Sequence, residues 1–469
     1  MQTDRSTRLA ARVSLAMLGF LVLMLFSWTA LKGLVQPDRT GALGRVALRV
    51  ASFPWVVERA WNEAAGLITG TVQTKSLSVP RPDFDEAGFR PVRMADGTPL
   101  SGLIVRGEAS KADRGWRLLT GAMHVDGHPA HVAALLDPEL RVVRRWTLDE
   151  TDVPGADPNG DSNILLHGLA MLPDESLVFA FDNGAALQRR DACNRPVWVV
   201  PGRYHHSVTL GTEGRSLWAL RDDGFAPMGP DPDAPDTGLV QIDLATGAVL
   251  REIGVGAIMA ANPGLGLFEL GRLDENEVQT NAAGIIGRWQ HDPVHFNDIE
   301  PLTPAMAGAF PGFEAGDLLI SARNLNTVMV LDPDSLKIRW YRTGGMLRQH
   351  DPDWQADGTI TVFDNAMGTG VSRILALDPA QAGSEVLHDG AETGFYTRIR
   401  GKHTRTARGD LAIVSPQQGR AFELAADGAK VLEFFNLKPG SDDEVFVLSE
   451  YLWFPEAAVS LKEETCLTD

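Results

Sequence analysis

Two stretches of this 469-residue chain repeat one phrase, and that repeat restricts the possible folds more than any other feature. His167 opens HGLAMLPDESLVFAFDNG and His350 opens HDPDWQADGTITVFDNA. Each reads as a histidine, a strand, an acidic or glycine turn, a second apolar strand and Phe-Asp-Asn. His206 opens the related HSVTLGTEGRSLWAL, and His295 opens HFNDIEPL, whose returning strand DLLISARN is delayed by an insertion at 303–315. Strands ending in an aspartate turn follow, as in LVQIDLATGAVL (239–250), TVMVLDPDSLKIRWY (327–341) and RILALDPAQAGSEVL (373–387), so each unit supplies about four strands. With a first unit at 116–148 and a last at 395–435, the count is six. The opening histidines stand 39, 89, 55 and 53 residues apart, counting on to His403, and the long gap holds a Pro/Asp-rich insertion at 228–238. Units of this kind cannot bury their apolar faces alone, and radial closure removes their exposed edges. The expected fold is all-β, a six-bladed β-propeller, with 445–454 as a further strand able to close the ring.

Composition narrows the partners. Sixty-one Asp and Glu against 43 Lys and Arg give a net charge of −18 without a basic run, which argues against nucleic acid. Two cysteines exclude a disulfide framework and a Cys-rich zinc site, leaving one bridge, Cys193 to Cys466, or two plain thiols. Ahead of the repeats, 13–31 is a charge-free run of nineteen residues preceded by Arg5, Arg8 and Arg12 and followed by Lys32. That fits a single transmembrane helix or an uncleaved signal, and bulky Trp28 at the one candidate cleavage point favours an anchor. Residues 46–68 read as an amphipathic helix, lying near the membrane or capping the globular domain. The expected layout is a tail at 1–12, an anchor at 13–31, a linker with the amphipathic helix at 32–89 and the propeller at 90–469. Both cysteines then lie in the exported part, as its only two, and are expected to pair.

In a propeller the innermost strand of each blade lines the central channel, so equivalent starting positions meet at one mouth. His167, His206, His295 and His350 share that position in the repeat, and Arg323 in ISARN begins close to it. Imidazole can act as nucleophile, acid, base or donor, and arginine adds a fixed five-donor cation. A dense cluster of such donors with few acids suits an oxyanion: sulfate, phosphate or carboxylate. Zinc fits less well, since no H-x-x-x-H or H-x-H pair occurs at these positions. Asp157 to Asn163 begins like a calcium loop but lacks its later glycine and glutamate, so it reads as a turn. No metal and no cofactor are expected.

The motifs Tyr204-His205-His206, Asp292-Pro-Val-His295-Phe-Asn297, Ser321-Ala-Arg323 and Gln349-His350-Asp351 leading to Phe363-Asp364-Asn365, one set per unit, resemble the arylsulfotransferase family. These are bacterial enzymes with six-bladed propellers, and the likeness spans about 90–435. It implies transfer of a sulfuryl group from an aryl sulfate to a phenol through a sulfohistidine, without a nucleotide sulfate donor. Carried across, His350 is the nucleophile, while His295, Asn297, Arg323 and His206 hold the sulfuryl oxygens. His206 or His295 can protonate the departing phenolate. His205 and His167 join as substrate-binding residues. Ser207 stands where the family often has an acid, which leaves open whether His205 or His206 faces the channel. With the anchor, the resemblance implies a single-pass protein of the bacterial inner membrane with its propeller in the periplasm. Two other readings stand beside it. One is a calcium-dependent propeller hydrolase or lactonase using Asn297, Asp298 and Glu300. The other is a membrane-tethered propeller that binds ligands or proteins without catalysis.

Overall fold

The computed structural model describes residues 77–459, less 126, 155–164, 183, 227, 229–235, 272–278, 282–283, 287–291 and 407, together with 17 and 20–28. The chain divides into two compact units, Met1–Val72 and Gln73–Asp469. In the first, Met17 and residues 20–28 are helical, with every side chain but Phe26 exposed. Among the described residues no helix is long and apolar enough to cross a membrane, and the rest of the expected anchor at 13–31 lies outside them. The expected amphipathic helix at 46–68, the turn at 157–163 and Cys466 also lie outside. Cys193 is disulfide-bonded.

The second unit is an all-β, propeller-like fold. Four separate four-stranded antiparallel sheets, the first to fourth blades, span 166–201, 204–254, 296–343 and 350–389. Six such sheets were expected. Ten of the remaining strands instead form one sheet, because the hairpin Arg90–Met94 and Pro99–Gly107 pairs on both sides. Gly107 meets Leu432 in an antiparallel ladder, and Arg93 meets Arg141 in a parallel one. A hairpin with two open edges pairs with whatever strands face it. At one end of this sheet Leu448–Pro455 pairs with Gly115–Val125, so a C-terminal strand completes a sheet begun more than 300 residues earlier. The linker expected to reach residue 89 ends sooner, since Ser78–Pro80 pairs with Glu444–Phe446.

Burial follows distance from the axis. Middle strands such as Leu177–Phe181, Leu318–Ala322 and Ile360–Asp364 are buried at every position, because each sheet has a neighbour on both faces. Between the second and third blades, Trp218, Leu220 and Leu239 pack on Phe296, Ile299 and Ile320. The outer strand Ile338–Thr343 alternates between half-buried and exposed. Many acids serve the hairpins: Asp357 accepts from the Thr359 amide at 3.1 Å, and Asp137 from the Glu139 amide at 3.0 Å. Hence much of the negative charge is turn chemistry.

Six inner strands line the axis: β1 (Leu166–Met171), β2 (Tyr204–Leu210), β3 (Phe296–Pro301), β4 (His350–Trp354), β5 (Lys402–Arg405) and β6 (Leu448–Pro455). Each packs beside the next, and β6 lies beside β1. A buried latch holds the closing strand. Arg117 Nε and Nη2 donate to Glu423 Oε1 and Oε2 at 2.6 and 3.0 Å, and the Tyr451 hydroxyl of β6 donates to the same carboxylate.

Candidate functional site

The first four inner strands each carry a β-bulge at their channel end, where the ladder breaks between Leu166 and Leu169, His205 and Val208, Phe296 and Asp298, and His350 and Asp353. Left-handed residues sit at or just before these breaks: Gly168 (φ 102°), His206 (62°), His295 (50°) and Asp351 (52°). For non-glycine residues this costs on the order of 1–2 kcal/mol each, strain that structures keep where a side chain must be re-aimed. At Gly168 the backbone of β2 closes in as well, and a Cβ would stand 3.2 Å from the His206 carbonyl carbon.

The histidines therefore converge, although not through one shared ladder position. His350 is matched in the ladder by His205, and His206 by Asp351. His206 is the hub. Its ring centroid lies 4.1 Å from that of His167, 4.9 Å from His295 and 6.1 Å from His350. Beside it opens a cavity of about 220 Å³ lined by His205, His206, His295, Arg323, Arg400 and Asp182 among others. His350 lies against this lining: its Nε2 accepts from the Arg400 amide at 3.3 Å.

Hydrogen-bond geometry sets the His350 tautomer. The Asn365 amide group donates to the carbonyls of Thr397 and Arg400 at 2.9 and 2.7 Å, so its oxygen must face the other way. There Asn365 Oδ1 accepts from His350 Nδ1 at 2.6 Å, and the Arg348 carbonyl is 3.2 Å from the same nitrogen. With the proton on Nδ1, the lone pair is on Nε2. Burial, and then the nearby Arg323 cation, hold the His350 pKa well below its ordinary value. Burial lowers that of His206 as well, followed by the surrounding imidazoles.

Arg323 lines the cavity and makes no salt bridge to a described carboxylate; its Nε donates to Asn324 at 3.2 Å. The two acids nearest in sequence to the inner end of the third blade are engaged elsewhere: Asp298 pairs with Lys402 at 3.3 Å, and Glu300 accepts from the Trp354 amide at 3.1 Å. Burial brings the Arg323 pKa down to about 10, still a cation at neutral pH. Asn297 does not fit its expected role. Its amide donates to the Gln349 carbonyl at 2.8 Å, which steadies the residue before His350, and it does not line the cavity. His167 is likewise set back, bonded to Asp182 at 3.2 Å.

A metal could use His167, Asp182 and His206, whose ligand atoms lie within 4.8 Å of one another, but Arg400 already binds Asp182 at 2.6 Å. The other such group, Asp351, Asp353 and His403, lies towards the opposite end of the channel, with the Lys402 ammonium 2.9 Å from Asp351. Each group has a cation of the protein at a carboxylate.

A family model described as arylsulfotransferase (ASST) matches residues 168–436. The chain belongs to the arylsulfotransferase family. Membership supports a sulfotransferase activity in general. No match was found among curated proteins. Among solved structures, a Bacteroides caccae protein of unknown function aligns at 11% identity over 73% of this chain and 100% of its own, with a TM-score of 0.44. A catalytically inactive virginiamycin B lyase from Staphylococcus aureus with quinupristin aligns at 10% identity over 73% of this chain and 90% of its own, with a TM-score of 0.37. Sequence reasoning passed over Asp182, Asp222 and Arg400 and took Asn365 only as part of a motif, without a role of its own. Phe-Asp-Asn, repeated at 181–183 and 363–365, was the available signal for Asp182 and Asn365.

Proposed function

We propose that the protein moves a sulfuryl group from an aryl sulfate to a phenol through a sulfohistidine on His350. The observation that carries this reading is the locked Asn365 amide, which leaves a neutral His350 with its lone pair on Nε2, beside an arginine without a carboxylate partner among the described residues. A neutral imidazole can attack sulfur directly, while charge gathering on the equatorial oxygens needs fixed donors. Arg323 is one donor. The Arg400 amide, now bonded to Nε2, is placed to turn to a sulfuryl oxygen once the N–S bond forms. In this reading the ten-stranded sheet is two blades joined by a hairpin, which makes six around the axis. The charge-free run at 13–31 tethers them to the bacterial inner membrane from the periplasmic side.

Full-length protein given 4-nitrophenyl sulfate and phenol is expected to release nitrophenolate and form phenyl sulfate, with no loss on adding EDTA. Chelator-sensitive release without phenyl sulfate would indicate a metal-dependent hydrolase, and no release would leave the binding-only reading. Arg323→Lys is expected to lower kcat by ~10²–10³, because a point charge does not replace a planar fork on an oxyanion. Near-normal turnover in that variant would remove Arg323 from the site.

A further inference from the structure

Three histidines and two carboxylates stand in one line of close contacts. Asp222 Oδ1 lies 3.0 Å from His205 Nε2 as an ion-pair contact, and His205 Nδ1 lies 2.6 Å from His206 Nδ1. His206 Nε2 lies 3.3 Å from His295 Nε2, and His295 Nδ1 is bonded to Asp292. Each of these four contacts needs one proton, since an ionised carboxylate can only accept and two imidazole nitrogens need one donor between them. Three neutral imidazoles supply three ring protons. The chain is therefore complete only with a fourth, which makes one of its members an imidazolium.

We infer that this relay stores the proton the departing phenolate takes, with His205 as its resting place, Asp222 as counter-ion and the His206–His295 gap as the point of delivery. The inference rests on the sulfuryl-transfer reading. That gap is the longest contact measured in the chain, and both of its histidines line the cavity. Around the chain stand His167 and Asp182 of the first blade, Arg323 of the third, His350 of the fourth, and Arg400. Burial disfavours charge on His205, but Asp222 outweighs it and raises the pKa, whereas burial lowers that of His295 despite Asp292.

The steps balance. The His350 Nε2 lone pair forms the N–S bond as the S–O bond breaks and its pair passes to the phenolic oxygen. That oxygen takes the proton from His206 Nε2, and His206 Nδ1 takes one from His205 Nδ1, leaving His205 neutral. In the second half the acceptor phenol returns its proton to His206 Nε2, the proton on Nδ1 moves back to His205, and the phenolic oxygen attacks sulfur. The N–S pair returns to His350.

Asp222→Asn tests the relay in the donor half-reaction, read as single-turnover release of the phenol from two donors without acceptor. With phenyl sulfate, whose phenolate needs a proton to leave, the rate of release is expected to fall ~10²-fold or more. With 4-nitrophenyl sulfate, whose phenolate leaves unaided, it should change by only a few-fold. The alkaline limb of the phenyl sulfate profile should also move to lower pH, because His205 loses the charge that held its proton. Equal losses for both donors, or no loss for either, would overturn the proposal. A second readout does not depend on turnover. Histidine ¹⁵N NMR of the full chain at neutral pH should show one doubly protonated ring in this trio, lost in Asp222→Asn. Three neutral rings in the unaltered protein would end the proposal even if transfer is active. Inactivity toward both donors with the imidazolium present would instead refute only the sulfuryl-transfer reading.

Discussion

His350→Gln is expected to bring sulfuryl transfer down to background while the protein stays folded. Glutamine can keep a hydrogen bond toward Asn365 but has no lone pair able to form an N–S bond, so what it removes is the nucleophile. The two half-reactions share the enzyme in turn, so the unaltered protein should show ping-pong kinetics, and mass spectrometry of protein quenched with donor alone should find a sulfuryl group on the peptide holding His350. Since burial and Arg323 keep the His350 pKa well below the ordinary value, its nucleophilic form persists through neutral pH. The donor half-reaction should therefore hold its rate on mild acidification and fall only below that lowered pKa. Transfer surviving in His350→Gln, or a sulfuryl group trapped on His206 or His295, would move the nucleophile to that residue.

Arg117→Ala should cost roughly 3–5 kcal/mol of stability, the usual result of leaving a buried charge unpaired. Arg117 and Glu423 are 1% and 0% exposed, and their bidentate contact joins Gly115–Val125 to Arg420–Leu424, with Tyr451 of the closing strand bonded to the same carboxylate. Removing the cation leaves Glu423 without its counter-charge between three strands. Denaturant unfolding with an unchanged slope should give the loss directly. Adding Glu423→Leu should recover part of it, because the cost lies in the orphaned carboxylate more than in the lost attraction. A loss under about 1 kcal/mol for Arg117→Ala would class the pair with surface bridges and discard the latch.

Much of the architecture can be read from local pattern. Period-two apolar runs, aspartate turns and the recurring Phe-Asp-Asn require only neighbours in the chain, so they announce an all-β repeat fold and bring His206, His295, His350 and Arg323 towards one end of it. Of the features that depend on an edge met far along the chain, only the closing strand near 445–454 was legible. The hairpin at 90–107 merges two strand groups because its two edges happen to face Leu432 and Arg141, a matter of tertiary placement. The site divides in the same way. Histidine and arginine announce donors by their chemistry, whereas their charge states depend on groups contributed by other segments. Asn365 selects the His350 tautomer because carbonyls at 397 and 400 hold its amide, and Asp292, three residues from His295, meets it through a left-handed turn. Asn297 has the right chemistry for an oxyanion, yet a backbone carbonyl claims its amide. Residue type and spacing thus set which groups could act here, while bulges, left-handed residues and partners from distant strands decided which nitrogen carries a proton. A hydrogen bond depends on tenths of an ångström in space, and no local sequence pattern encodes that distance between segments that meet only in the folded chain.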